Sequence, residues 1–193
     1  MGLNLSLLVC SNDGRIDLSR PLPPTASDDV MRGLFPRTPY RRTARRRLLD
    51  HCFPERPLPL VGVFEDGALI ATRDAHLHDP PILHRRYTAL HPWRDVRLIT
   101  SRSIYDMAAY GHWIDREYVR SFSVNANVGV WRDDGDPESF EAGFPVAAES
   151  WLDLVNAALY DTVRLPGDCA PIRDDYLDWE DVPMYEYTRN PAD

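Results

Sequence analysis

The sequence predicts a single α+β domain over residues 1–193, with a mostly antiparallel sheet, a central three-strand meander and helices packed on one face. Three observations lead there. Tyr105 to Glu141 reads as three consecutive strands joined by tight turns. Asp66-Gly67 stands between two apolar runs, a strong hairpin signal. Glu149 to Val163 carries Trp151, Leu152, Leu154, Val155, Ala158 and Leu159, an apolar stripe at helical spacing that stops ahead of Pro166-Gly167.

Taken in order, Leu3 to Cys10 is a buried strand, followed by the turn Ser11-Asn12-Asp13-Gly14. Arg20 to Thr25 holds three prolines and is an extended connection. Ser27 is placed to cap a short helix running toward Gly33. Thr38 or Thr43 opens a second helix over Arg41 to Cys52, closed by Phe53-Pro54. Leu60 to Glu65 and Leu69 to Asp74 form the hairpin, and Pro80 to Tyr87 a short helix with proline in its first turn. Val96 to Thr100 is a strand that leads into the meander.

Within the meander, Ala108 to Ile114 packs on a pleated surface through Tyr110, Trp113 and Ile114. Asp115-Arg116-Glu117 makes the first loop. In the next strand Tyr118, Phe122 and Val124 point one way, and Val119, Ser121 and Ser123 the other. Asn125-Ala126-Asn127 turns the chain into Val128 to Trp131, and Asp133-Asp134-Gly135-Asp136-Pro137 ends it. The acidic C-terminal region offers Val182 to Tyr187 as an edge strand. The segment count amounts to a sheet of about five to seven strands.

Composition narrows the function. The net charge of -8 argues against nucleic-acid binding by the whole surface. All 22 basic residues are arginine, which with 17 prolines points to GC-rich coding rather than to chemistry. No apolar run has the length that spans a membrane. Met1 to Cys10 lacks a basic leader and a small-residue cleavage site, so it reads as a strand rather than a signal peptide. Cys10, Cys52 and Cys169 are odd in number and far apart, which suits free thiols in the cytoplasm.

Several stretches together resemble an uncharacterised, largely actinobacterial family described only as a domain of unknown function. Leu7-Leu8-Val9 with Asp13-Gly14, Leu34-Phe35-Pro36 and Val61-Gly62-Val63-Phe64 carry the first part of the likeness. The fullest block runs from Ser103 to Trp113, through Val119 to Ser123, to Gly135-Asp136-Pro137 and Phe140-Glu141. A shorter continuation, Ala142-Gly143-Phe144-Pro145-Val146, departs from the aromatic, glycine-rich pattern expected there. The resemblance implies a shared fold and transfers no activity.

Candidate chemistry is sparse. There is no phosphate-binding loop, dinucleotide fingerprint or nucleophile elbow. His76 and His78, with His84 or His91, are read as solvated loop histidines rather than a metal site, and Asp133 to Glu138 as a solvated turn without calcium-loop spacing. Asp174/Asp175 and Glu180/Asp181 are read as solvated acids. No metal and no cofactor is expected. The least ordinary set is Ser103, Asp106, His112, Trp113, Arg120 and Ser123, read first as holding a structural ion pair under the sheet, in which Arg120 seeks a carboxylate such as Asp106, and otherwise as a ligand- or partner-binding face. A basic patch, Arg41, Arg42, Arg45, Arg46 and Arg47, is the densest run of charge. The leading expectation is a noncatalytic intracellular interaction or regulatory protein with a protein partner. A small-molecule hydrolase at the Ser103 to Ser123 face is the alternative, and a nucleic-acid contact through the Arg41 to Arg47 helix is a further one.

Overall fold

A computed structural model describes residues 4–55, 59–74, 76–164 and 182–190. Among these residues eleven strands run in chain order: β1 (Asn4–Ser11), β2 (Ile16–Asp17), β3 (Tyr40–Arg47), β4 (Leu60–Phe64), β5 (Gly67–Ala71), β6 (Asp95–Arg102), β7 (Met107–Ile114), β8 (Glu117–Asn125), β9 (Gly129–Asp134), β10 (Val163–Arg164) and β11 (Pro183–Arg189). Four α-helices accompany them: α1 (Pro24–Leu34), α2 (Leu48–His51), α3 (Arg85–Thr88) and α4 (Trp151–Thr162). Among the described residues, no helix is long and apolar enough to cross a membrane.

Nine strands form one antiparallel sheet in the order β3-β11-β4-β5-β1-β6-β7-β8-β9. The short β2 and β10 pair in parallel beside it. Strand β1 lies in the middle because it is apolar on both sides, with every residue from Leu5 to Ser11 buried. Leu5, Leu7 and Val9 face one core, and Leu8 and Cys10 face the other. Helix α4 closes the first core with Leu154, Val155, Ala158 and Leu159, and α1 closes the second with Val30, Met31 and Leu34. The helices therefore cover two faces rather than one. A strand that is apolar on both sides leaves neither to water.

The hairpin at Asp66-Gly67 forms, and the meander forms with β6 added, running from mid-sheet to the edge β9. The β7–β8 turn has Asp115 at φ 51° and Arg116 at φ 73°, the mirror-image geometry that suits strand twist. The sheet exceeds the expected strand number partly because the arginine run is a strand, β3, and not a helix. On a helix those charges would stack at i, i+4. On β3 they splay to both faces, where Glu186 and the Tyr185 ring on β11 receive them. This also moves β11 inside: it lies between β3 and β4, so β3 holds the edge instead.

Three local expectations change as well. Helix α1 begins at Pro24, a residue whose ring suits a first turn, and Ser27 lies buried inside it rather than at its cap. The segment from Pro80 divides into a 3-10 turn (Pro80–Ile82) and α3. Tyr118 joins the face of Ser121 and Ser123, because a bulge at Val119 inverts the alternation: His112 pairs with Arg120, but Trp113 pairs with Tyr118. The residues Cys169, Asp174, Asp175, Glu180 and Asp181 lie outside the described residues.

Candidate functional site

Strands β6, β7 and β8 set Arg97, His112 and Arg120 side by side in one register row, on the face turned toward α4. Three adjacent cations under a helix would repel one another, so each needs a carboxylate. The chain supplies them from both sides. Asp95 comes from β6 itself. Asp161 comes from α4, and Glu138 and Glu141 come from the 3-10 turn Ser139–Gly143 and its cap. In that turn Glu138 and Glu141 form a capping box, the Glu138 amide donating to Glu141 Oε1 at 3.0 Å.

His112 is held at both ring nitrogens, Nδ1 at 2.6 Å from Glu138 Oε1 and Nε2 at 3.0 Å from Asp95 Oδ2. Burial by itself would lower its pKa, but the bonds to Asp95 and Glu138 outweigh it and raise it to about 9. Both nitrogens therefore donate, and the imidazole is a cation at neutral pH. Glu138 also accepts from the Tyr110 hydroxyl at 2.9 Å. Burial opposes its ionisation, yet His112, Arg97 and Tyr110 hold its pKa below the usual value. Arg97 donates to Asp95 at 3.2 Å and Asp161 at 2.9 Å, and Asp161 also takes Arg15 at 2.9 Å. Gly14, at φ 76°, makes room there, since a Cβ would meet Arg97 Nη2 at 2.6 Å.

Arg120 is 1% exposed and forms a bidentate pair with Glu141, Nε to Oε1 at 2.9 Å and Nη2 to Oε2 at 2.5 Å. Its Nη1 donates to Asp133 at 2.5 Å and to the carbonyls of Asp134 and Gly135 at 3.0 and 3.2 Å. Gly135 must stay small: at φ 82°, a Cβ would collide with the Val119 carbonyl. The carboxylates Arg120 requires are thus Glu141 and Asp133, not Asp106.

Of the six residues singled out in sequence, the structure joins His112 and Arg120 and places the others elsewhere. Trp113 and Ser123 lie on the opposite face, Trp113 beside Tyr118 and Ser123 donating to the His78 carbonyl at 2.9 Å. Ser103 lies in a 3-10 turn beyond the far end of β7 and is bonded to Asn4 Oδ1 at 3.1 Å through its amide. Asp106 closes that turn at φ 46°. Met107 and His112 are five positions apart on β7, a separation of about 16 Å along the strand, so Ser103, Asp106 and His112 do not meet. Among the described residues, no group of three or more His, Cys, Asp or Glu stands together as metal ligands.

The cluster members not read from the sequence are Asp95, Arg97, Tyr110, Glu138, Glu141 and Asp161. The available signal was polar residues inside apolar strands, Arg97 within Val96–Ile99 and His112 within Tyr110–Ile114. Their carboxylate partners come from a turn and a helix far along the chain.

The basic patch falls at a different place. Strand β3, α1 and the connection between them enclose an open cleft of about 900 Å³. Arg37, Arg41 and Arg42 line it with Phe35 and Tyr40. Arg42 stands 3.6 Å from Asp28 and over the Tyr185 ring at 5.3 Å. Asp28 also accepts from the Tyr187 hydroxyl at 2.8 Å. Arg46 is bonded to Glu186 at 2.7 Å and Arg47 to Asp50 at 2.6 Å, while Arg41 and Arg45 are exposed. The buried cluster does not line this cleft.

A family model matches residues 6–187, a span from β1 to β11 that takes in both the buried cluster and the cleft. The chain belongs to a family of unknown function, DUF6928. Neither the curated proteins nor the solved structures include a match to it. Membership in DUF6928 assigns no activity and leaves function to the geometry.

Proposed function

We propose that the protein is a noncatalytic interaction protein, and that the cleft between α1 and β3 is where it takes an anionic partner, a protein in the first instance. One observation carries the reading: Arg37, Arg41 and Arg42 converge on a cleft of about 900 Å³ at a sheet edge, in a chain of net charge -8. Local positive charge against a negative total favours an anion at that place alone. Support also comes from the buried cluster, whose His112 is 5% exposed with both nitrogens occupied, so it has no free valence for a substrate.

The same reading keeps a cytoplasmic location and a largely actinobacterial family. The thiols of Cys10 and Cys52 are free, and burial raises them to about 12 and about 11, which suits inert structural cysteines. The experiment is a titration of the full chain with labelled polyglutamate and a single-stranded oligonucleotide, at rising salt. Binding should weaken with salt and fall by about tenfold in Arg37→Gln/Arg41→Gln. Equal binding by that variant would remove the cleft from the function. Stronger binding of the oligonucleotide would turn the reading to nucleic acid.

A further inference from the structure

We infer that the hollow between the ends of β5 and β6 binds the phosphoryl group of a small molecule, with Arg73 and Arg102 as its cations and Thr100 as a further donor. The inference goes beyond the binding reading above, since this hollow of about 270 Å³ shares no residue with the cleft between α1 and β3. Arg73 stands two residues after β5, Arg102 ends β6, and Phe53 stands two residues after α2. All three line the hollow.

Both guanidiniums lie over one ring, Arg102 at 4.0 Å and Arg73 at 4.8 Å from the centre of Phe53. A ring face attracts a cation without neutralising it. Arg73 also donates to the Glu55 carbonyl at 2.8 Å. Among the described residues, neither arginine has a carboxylate within ion-pair distance. The contrast with the buried cluster is plain, because the acids around Arg97 and Arg120 raise the pKa of each. Arg102 moves the other way: burial first, and then the Arg73 charge, lowers its pKa. Two like charges thus stand close together with no acid of the described chain between them.

The floor of the hollow adds a donor. Thr100 precedes Arg102 by two positions on β6, so the two side chains share a face of the sheet. Thr100 is 1% exposed, and among the described residues its hydroxyl has no hydrogen-bond partner, nor has that of its register partner Ser6 on β1. A buried hydroxyl is costly without an acceptor, and an anion oxygen in the hollow supplies one to Thr100. Asp74 lines the same hollow, but its carboxylate accepts from the His76 amide at 3.1 Å and pairs with neither arginine. Two guanidiniums and a hydroxyl are three donor side chains, a set that suits the three oxygens of a phosphoryl group better than the two of a carboxylate. Leu77, Tyr105 and Met107 give the hollow apolar walls for an organic part, and its volume suits a small ligand.

The test is calorimetric titration of the full chain with phenyl phosphate, inorganic phosphate and benzoate. Phenyl phosphate should bind about tenfold tighter than benzoate, which has the same ring but a planar, singly charged head. Phenyl phosphate tighter than inorganic phosphate assigns the site to an organic monoester, and the reverse order assigns it to free phosphate. Arg102→Gln should weaken the tighter phosphate by about tenfold. Thr100→Val should weaken it by about threefold without lowering the melting temperature, because the variant loses an unpartnered hydroxyl. Melting temperatures check that both variants fold. Benzoate bound as tightly as either phosphate, full affinity in both variants, or no heat from either phosphate at millimolar concentration would overturn the inference. Loss of phosphate binding in Arg37→Gln/Arg41→Gln, with full binding in Arg102→Gln, would move the anion to the cleft between α1 and β3. That result would overturn this inference and leave the reading of the cleft standing.

Discussion

Removing Glu141 tests the buried cluster at its most enclosed member. Glu141→Ala takes away both oxygens of the bidentate pair at 2.9 and 2.5 Å and leaves Arg120 at 1% exposure. Loss of one partner from a buried pair costs about 3–5 kcal/mol, because the other charge stays in a poorly solvating place. Asp133 remains at 2.5 Å, though its side chain is 52% exposed and so partly screened by water, which argues for the lower part of that range. Glu141 also closes the capping box on Glu138, worth about 1 kcal/mol more. The expected total is about 4 kcal/mol. Urea unfolding followed by tryptophan fluorescence should show a lower midpoint with an unchanged slope. The melting temperature should fall by about 8–16 °C. Arg120→Met/Glu141→Leu, which removes both charges together, should return to within about 1 kcal/mol of the native chain. A single variant within about 1 kcal/mol of native would refute the reasoning, as would a double variant no better than the single.

Two further outcomes follow from the meander. His112 titrates near 6.5 when unfolded and at about 9 when folded, so its contribution is complete below about pH 6.5 and is lost as pH rises through 9. Stability should decline by up to about 1.4 kcal/mol per pH unit across that window, and His112→Gln should flatten the decline; an unchanged slope in the variant would assign it elsewhere. Glu138, held below its usual pKa, contributes in the opposite sense, and its share is lost on acidification. At the β7–β8 turn, Arg116 occupies φ 73° with a side chain that disfavours it. Arg116→Gly should stabilise by about 0.5–1 kcal/mol, less than the full left-handed cost because glycine loosens the unfolded chain. A thermal scan showing a lower midpoint would contradict the turn geometry.

Much of the sheet was legible because strand signals are local. The Asp66-Gly67 hairpin and the β7–β8 turn depend on residues within a few positions, where glycine and polar turn residues set the backbone directly. The arginine run reads as a helix in the sequence because it has no alternation that a single strand could show. Its conformation comes from β11, some 140 residues on, whose Glu186 and Tyr185 take the charge. The misassigned face of Tyr118 has the same origin, since a bulge is a relation between two strands and leaves no pattern in one.

The site divides in the same way. By itself the sequence determined that His112 and Arg120 stand on apolar strands and that arginine is concentrated in one run, because residue type and period are properties of the chain. Only the tertiary structure decided the rest. Sheet order placed β3 at an edge beside α1 and so turned the arginine run into the wall of a cleft. Register set Arg97, His112 and Arg120 in one row, and the fold brought Glu138, Glu141 and Asp161 over it. Which carboxylate meets which buried cation depends on separations of a few ångströms between distant segments. Burial makes that choice consequential, because a charge withdrawn from water is stable only beside its partner.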